Sequence, residues 1–471
     1  MAIDRSTHSL ESARTTFSVW TAANPASDGR AELQSATGPR QPLDSSAKRR
    51  AALQLFRLTV LPALLMLPAW PVFMLLPARF AGVFFLLSGG ALITFVAGPL
   101  YAAGLFAAML LGYVLTEWTA GRTRRSAAAD FACLGAFHIA YWACFYLPLP
   151  EIFQTDALRP ADRAVSFIMF SGIGLTFLRL VGYFRDRIGG TLERVGLADY
   201  LAYMLFFPQF RHGPLERCGP FTVQLRDARR QWRPRDLGFG MLRVAWALFL
   251  GWGFWRLLIS VVKRLNADGS VNALANPEAL TPGEFVVLIH LPAIVLYAVG
   301  SAGAHLQLGV SRCFGIVGSE NYNHPYRALS PRTLWTRWNI TLSFWLRDYA
   351  FKPLGGYRKR RYLNIILTFV YAGLIHGLQL RFLVWGLWCG GTVALATYLR
   401  QRLPGRERER RTHAGPLRRV IRSTILGLGT IHWACISVII IIDPDYCGLR
   451  VLRQYVVHLL KLLNVSALWS P

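Results

Sequence analysis

Long apolar runs are the feature of this sequence that most constrains its fold. The chain has 471 residues, of which 53% are hydrophobic and only 16% are charged. A run of about 20 apolar residues is long enough to cross the hydrocarbon core of a bilayer. Such a run must be helical, because a helix satisfies its own backbone polar groups in lipid. The runs lie roughly at 52–77, 80–98, 99–117, 127–148, 164–184, 238–262, 285–309, 362–380, 382–400 and 420–442. The sequence therefore predicts an all-α polytopic membrane protein with about 9–11 transmembrane helices.

Three segments do not have the pattern of a membrane span. Residues 1–50 are rich in Ser, Thr, Ala and charge, which predicts a disordered cytoplasmic tail before a membrane-embedded domain over residues 51–471. The apolar piece 199–210 is only half as long as a crossing and contains Pro208, which favours a re-entrant or interfacial segment buried in protein. The carboxy-terminal "VLRQYVVHLLKLL" has one apolar face and suits the membrane surface.

Charge assigns sides to the loops. The net charge of +27 falls largely in loops such as 117–125, 211–236, 311–361 and 400–419, which the positive-inside rule places in the cytoplasm. The less basic loops 150–163, 265–284 and 443–448 are then extracytoplasmic. The assignments alternate from residue 127 onward, but three crossings between 52 and 117 would put the basic "GRTRR" outside. Because 52–77 contains three prolines, it is the piece expected to enter the membrane and return.

The same distribution of charge excludes several other classes of protein. Basic residues confined to loops between apolar runs indicate contact with anionic lipid head groups and no nucleic-acid partner. The seven cysteines are scattered without a CxxC pair, so we expect neither a metal site nor a disulfide framework.

Two polar residues stand out against apolar or aromatic surroundings. His376 in "YAGLIHGLQLRF" lies in the run 362–380, where an ionisable side chain is costly and marks either function or a buried partner. It is a candidate general base, a core histidine bonded to a neighbouring helix, or part of a transport path. Flanking Gly373 and Gly377 would let a substrate or another backbone approach the imidazole. Asn339 in "RWNITLSFW" could stabilise an oxyanion, or simply bond to a nearby loop.

The loop 311–361 carries cations interleaved with aromatic rings. We predict a helix starting at Ser330 or Thr333 that is either an interfacial anchor or a wall of a cavity for something anionic. The residues with which it would bind an anionic ligand are Arg337, Arg347, Lys352, Trp338 and Trp345.

The run "NYNHPYRALSPRTLWTRWNITLSFWLRDYAFKPLGG", followed by "LIHGLQLRFLVWGLWCG", resembles the core of the membrane-bound O-acyltransferase (MBOAT) family. The similarity covers roughly residues 165–400 and is most specific over 321–390. It also includes "FFPQFRHGPLERC" at 206–218. It is greatest to the bacterial branch that contains alginate O-acetyltransferase and teichoic-acid D-alanyl transferase. The chain departs from that branch in having "RWN" where its polysaccharide enzymes usually have "RWH".

The resemblance implies a helical bundle with re-entrant and interfacial segments around a central channel, and transfer of an acyl group from a thioester to a hydroxyl. It assigns the general base to His376 and the second family position to Asn339. The implied co-substrate is acyl-CoA or an acyl-carrier protein, with no tightly bound cofactor. The implied location is the bacterial inner membrane, with a periplasmic acetylation protein as a further partner.

The identity of the acceptor remains open between several classes. An extracytoplasmic polysaccharide is the first expectation, and a lipid, glycolipid or small metabolite is the second. A polytopic transporter or flippase with His376 in a proton path is the alternative from another functional class. The chain lacks an internal repeat of the kind that many transporters carry, which favours the enzyme.

Overall fold

The computed structural model describes residues 61–122, 126–144, 172–210, 213–265, 277–402, 415–442 and 448–462. Within these ranges the chain is helical, and its one β-bridge pairs Tyr322 with Trp338. The predicted tail over residues 1–50 lies outside them. The α-helices of five residues or more are α1 (Leu61–Leu65), α2 (Trp70–Leu75), α3 (Ala81–Ala97), α4 (Pro99–Ala120), α5 (Ala127–Ala143), α6 (Ile173–Ile188), α7 (Leu197–Met204), α8 (Cys218–Gln231), α9 (Pro234–Leu265), α10 (Pro282–Cys313), α11 (Pro331–Trp335), α12 (Ile340–Leu346), α13 (Arg361–Ile375), α14 (Leu380–Arg402), α15 (Pro416–Ile442) and α16 (Leu449–Leu462).

Among the described residues, five helical stretches are both long and apolar enough to cross a membrane. They are Ala78–Phe95, α4, α10, α14 and α15. Helix α13 is apolar but shorter. The architecture is therefore the all-helical, multi-pass membrane protein that the apolar runs predict.

The first apolar run does not form one helix. Its described part consists of α1, a single 3-10 turn over Leu67–Ala69, and α2. Pro68 and Pro71 each stand at the start of one of these pieces, where a residue without an N–H is tolerated. Each of these described pieces is too short to cross a bilayer by itself, and the return of the whole run 52–77 without crossing stays a prediction, because residues 52–60 lie outside the described ranges.

The half-length segment near Pro208 is buried in protein. Helix α7 ends at Met204 and is followed by a 3-10 turn over Phe207–Gln209. The guanidinium of Arg179, which is 1% exposed, donates to the carbonyl oxygens of Tyr203 at 2.9 Å, Met204 at 3.1 Å and Gln209 at 3.4 Å. The Tyr203 oxygen also accepts from the Phe206 N–H at 3.4 Å, whereas Arg179 is the described partner of the Met204 and Gln209 oxygens. Such partners are the condition for irregular backbone at membrane depth.

The long basic loop differs from its prediction. The helix does begin at Ser330, whose hydroxyl accepts from the Thr333 N–H and whose own N–H donates to the Thr333 hydroxyl. It does not continue as one amphipathic helix, because α11 ends at Trp335 and a second helix, α12, begins only after Asn339. A one-turn π-helix over Arg347–Phe351 then follows α12.

Helices α13 and α14 form a tight pair. Gly373 makes their close contact, since a Cβ on it would lie 2.2 Å from the carbonyl oxygen of Phe382. This glycine therefore admits another backbone and not a substrate, which are the two possibilities that the sequence leaves open. The predicted span 362–380 is not one helix, because α13 ends at Ile375 and α14 starts at Leu380.

Candidate active site

His376 lies at the C-terminal end of α13, directly after the last helical residue, Ile375. Its N–H donates to the Gly373 carbonyl at 2.9 Å, and the chain then leaves the helix at Gly377, whose φ is +151°. Only glycine adopts such a conformation without strain. His376 is therefore the first residue of a short irregular connection between two apolar helices.

Side chains of α5 bind the carbonyl groups at this helix end. The last four carbonyls of a helix have no partner within the helix. The Tyr141 hydroxyl donates to the Ile375 oxygen, and the Trp142 indole N–H donates to the Leu374 oxygen at 3.2 Å. The Leu374 oxygen also accepts from the Gly377 N–H at 3.2 Å, so both carbonyls have partners at the point where α13 stops.

The imidazole of His376 is surrounded by aromatic rings. The ring centre of Phe382 lies 5.9 Å away and that of Trp385 lies 6.4 Å away, the latter nearly perpendicular. The imidazole is partly exposed, and in the described part of the chain neither of its nitrogens has a hydrogen-bond partner. A histidine with this environment has a lone pair available for a proton.

Asn339 is the residue at which α11 and α12 separate. It adopts a left-handed conformation with φ +46° and ψ +54°, and its side chain does not cap α12. Asn, Asp and His are the non-glycine residues that occupy this region most readily. The backbone therefore accounts for Asn at this position, and would account equally for the histidine of the "RWH" sequences. The side-chain amide has no described hydrogen bond and remains available.

An aromatic cluster joins the two polar positions. Trp385, which contacts the His376 ring, also packs edge-on against Trp335 with ring centres 5.8 Å apart. Trp335 is the last residue of α11, four residues before Asn339. The structure thus places the ends of α11 and α13, where the two helices are interrupted, beside the same pair of indole rings.

Two of the predicted anion-binding cations are engaged by a neighbouring carboxylate. Asp348 accepts from Arg347 at 2.9 Å, from Lys352 at 2.7 Å and from Arg217. Burial by itself would raise the pKa of the Asp348 carboxyl, but hydrogen bonds from Arg347 and Lys352 and the charge of Arg217 hold that pKa below its ordinary value. Asp348 thus faces three cations, and Asp186 adds a second carboxylate that interacts with Arg217.

The other three predicted residues, Arg337, Trp338 and Trp345, lie in different surroundings. Arg337 donates to the Asn323 carbonyl at 3.0 Å, and Trp338 packs against the rings of Tyr297 and Tyr322. Trp345 instead lies in the core with 2% exposure, where its indole N–H donates to the Leu178 carbonyl at 3.0 Å. The structure therefore does not gather the five predicted side chains at one point.

A small cavity adjoins the cation cluster. Its lining includes Trp345, Arg217, Asp186, Glu216 and the ring of Tyr349, over which the Arg217 guanidinium lies at 4.2 Å. The Tyr349 hydroxyl is buried and has no hydrogen-bond partner in the described part of the chain. Neither His376 nor Asn339 lines this cavity.

Sequence reasoning missed Tyr141, Trp142 and Arg217. The aromatic pair lies in α5, more than two hundred positions before His376, and an aromatic residue in an apolar run carries no signal of its own. Arg217 lies in "LERC", at the end of the segment 206–218 that contributes to the family resemblance. Only its contact with Asp348 distinguishes it from other loop arginines.

Comparison with known proteins matches residues 185–432 to the model of the MBOAT, membrane-bound O-acyltransferase family. A probable alginate O-acetylase, AlgI, of Pseudomonas fluorescens is 30% identical over 250 residues, covering 52% of this chain and 46% of the relative. A peptidoglycan O-acetyltransferase of Helicobacter pylori is 30% identical over 204 residues, which cover 42% and 37%. A teichoic acid D-alanyltransferase of Bacillus subtilis is 24% identical over 281 residues, which cover 56% and 68%.

The chain spans about half the length of the alginate O-acetylases it matches. The family model nevertheless covers more than half of this chain and includes α8 to α14, with Asn339 and His376. The relatives are bacterial, and the helices are those of a multi-pass membrane protein. The chain therefore belongs to the membrane-bound O-acyltransferase family.

Proposed function

We propose that the protein transfers an acyl group, acetyl or another short chain, from a cytoplasmic thioester to a hydroxyl group. His376 acts as the general base: it takes the proton of the attacking hydroxyl while the oxygen bonds to the thioester carbonyl carbon. The carbon–sulfur bond then breaks, and the proton passes from the imidazole to the departing thiolate. The products are an ester and a thiol, and the enzyme returns to its starting state.

The observation that carries this proposal is the state of the His376 ring. It is partly exposed, it stands where a helix has ended, and both of its nitrogens lack a partner within the described chain. By contrast, His138 has both nitrogens engaged, Nδ1 with the Leu134 carbonyl at 2.7 Å and Nε2 with the Tyr371 hydroxyl at 2.9 Å. Of these two neighbouring histidines, only His376 is arranged to accept a substrate proton.

Asn339 is assigned a supporting role. An amide N–H₂ stabilises the oxyanion that forms on the thioester carbonyl, provided that it has no competing partner. Asn339 directly precedes α12, but its backbone is left-handed and its side chain makes no capping hydrogen bond to that helix. The amide is therefore left without a described partner.

We assign the binding of the thioester donor to the basic residues around Asp348. Acyl-CoA and acyl-carrier proteins carry phosphate, which arginine binds through paired hydrogen bonds. The cluster supplies three cations, Arg217, Arg347 and Lys352, to the carboxylates of Asp348 and Asp186. Trp345 lines the small cavity beside this cluster, whereas Arg337 and Trp338 contact Asn323 and the tyrosine rings and are assigned no contact with the donor.

An extracytoplasmic polysaccharide is the proposed acceptor, and the bacterial inner membrane is the proposed location. The support is that the relatives are named for acyl transfer to alginate, peptidoglycan and teichoic acid. A periplasmic protein that completes the transfer would be a partner of this reaction. Neither proposal requires a metal or a tightly bound cofactor.

Transfer of radiolabelled acetyl from acetyl-CoA tests the proposal. The full chain, purified in detergent, is given alginate oligosaccharides, peptidoglycan fragments or diacylglycerol, and His376→Ala is compared with His305→Asn. His305 is a matched control because it also lies in a membrane helix and has an Nδ1 without a described partner.

We expect His376→Ala to lose at least about 100-fold in kcat, the usual contribution of a general base, and His305→Asn to keep its rate. Label in either carbohydrate supports the polysaccharide acceptor, whereas label only in diacylglycerol would refute it. Full transfer by His376→Ala, or loss confined to His305→Asn, would refute the assigned base. Proton flux without thioester consumption would refute the enzyme altogether.

A further inference from the structure

Three side chains of α5 meet three residues at the end of α13 in a matching pattern. Tyr141 contacts Ile375, Trp142 contacts Leu374, and His138 contacts Tyr371, each through a hydrogen bond. On α5 these residues are at positions i, i+3 and i+4, so they share one face of that helix. One bond joins two side chains and the other two go to the last backbone carbonyls of α13, so this face of α5 holds the end of α13 at three points.

We propose that Tyr141 and Trp142 are positioning residues that fix the imidazole of His376 for catalysis. This inference rests on the proposed function, in which His376 is the base. It assigns a role to α5, which precedes the residues 185–432 matched by the family model.

The argument starts from the peptide bond that joins Ile375 to His376. A peptide unit is planar, so the orientation of the Ile375 carbonyl also sets the direction of the His376 N–H and the place of its Cα. Tyr141 holds the oxygen of this unit from α5, and Gly373 accepts from its N–H within α13. Both ends of the unit are therefore fixed before the side chain of His376 begins.

Gly377, the next residue, has no side chain and a positive φ, and its N–H donates to the Leu374 carbonyl at 3.2 Å. The Trp142 indole donates to the same oxygen, so α5 reinforces the turn that carries His376. The Ile375 carbonyl has its described partner on α5, which makes the Tyr141 bond the principal constraint from outside α13.

The hydrogen bonds of His138 fix the direction of its contact with Tyr371. Its Nδ1 lies 2.7 Å from the Leu134 carbonyl, which can only accept, so Nδ1 carries the proton. In the neutral ring Nε2 then accepts from the Tyr371 hydroxyl at 2.9 Å. The tyrosine side chain of α13 is thus held by a histidine that is already oriented by its own helix.

Kinetics of Tyr141→Phe test the inference, with Tyr200→Phe as the matched control. Tyr200 is also a buried tyrosine, and its hydroxyl donates to a backbone carbonyl, that of Met109, at 3.2 Å. Both substitutions remove one such bond, but only the first bond lies at His376. Acetyl transfer to an alginate oligosaccharide and melting temperature are measured for both variants and for the wild type.

We expect kcat to fall about 10-fold in Tyr141→Phe, with the KM for acetyl-CoA unchanged, because small displacements of a reacting group are costly. The two variants should lose similar melting temperature, while Tyr200→Phe keeps its kcat. Trp142→Phe should repeat the kcat effect and serves as the second variant if Tyr141→Phe does not fold.

Equal kcat in the two tyrosine variants would overturn the inference. So would a fall in Tyr141→Phe that appears only in KM. An active His376→Ala would instead refute the proposed base, and this outcome is separate because it does not depend on α5.

Discussion

Gly373→Ala offers a direct test of how closely α13 and α14 must approach for the site to form. The added Cβ would lie 2.2 Å from the Phe382 carbonyl oxygen, 3.0 Å from its carbonyl carbon and 3.4 Å from the Trp385 ring. Heavy atoms essentially never come closer than 3.0 Å to a Cβ. The obstacle is backbone, which cannot rotate away as a side chain can.

The size of the effect follows from these distances. Helix α14 must recede by about 0.8 Å for the oxygen alone to be accommodated. Forcing a methyl group into such a contact costs about 1–3 kcal/mol of stability. The displaced residues are Phe382 and Trp385, the two rings packed on His376. A shift of this size at a reacting group reduces the rate by up to about 100-fold.

The assay is acetyl transfer with melting temperature in detergent, and Gly391→Ala is the control. Gly391 also lies in α14, but a Cβ on it would meet nothing within 4 Å. We expect the control to be neutral or slightly stabilising, since alanine is the better helix former by about 1 kcal/mol. If Gly373→Ala matched Gly391→Ala in both stability and rate, the close contact described between the helices would be wrong.

Three further predictions concern the chain breaks and the cation cluster. Arg179→Met should destabilise the protein by about 3 kcal/mol, because it leaves the buried carbonyls of Met204 and Gln209 without their described partner. Arg230→Met, at an exposed arginine, should change the melting temperature little. Asn339→Gly should melt at a higher temperature than Asn339→Ala, because alanine is strained by about 1 kcal/mol in the left-handed region. Both variants should lose acetyl transfer. A fully active glycine variant would show that the amide is dispensable. The pKa of Asp348 is lowered by folding, so its contribution to stability is complete above the unfolded value of about 3.9 and disappears as pH falls through the lower folded value. The difference in melting temperature between the wild type and Asp348→Asn should accordingly be constant from about pH 8 to 5 and shrink only in stronger acid, and a difference that already vanished near neutral pH would contradict the shift.

Local sequence was sufficient wherever one helix or one cap decides the outcome. The proline-rich first run was predicted not to cross, and its described part is broken at those prolines. The start of α11 at Ser330 follows from a hydroxyl residue three positions before a second one that can return the bond. The cap at Ser330 is made by residues three positions apart, whereas the end of α2 is also bound from α8, since Arg229 donates to the Met74 carbonyl at 2.8 Å.

Local sequence failed where distant groups compete for the backbone. "YAGLIHGLQL" is apolar enough to continue as a helix, but Tyr141 and Trp142 bind the carbonyls at 374 and 375. The loop cations Arg347 and Lys352 could not be distinguished from free ones until Asp348 was found between them.

The sequence by itself determined that this chain is a helical membrane protein with basic loops, because hydrocarbon leaves an apolar backbone segment no other way to satisfy its polar groups. It also marked His376 and Asn339, since polar side chains in such surroundings are costly and few. Only the tertiary structure decided where the helices end around them, which of His138 and His376 has nitrogens without a described partner, and which of the described loop cations are paired. Those outcomes depend on hydrogen bonds between residues as much as 234 positions apart, which no local pattern encodes.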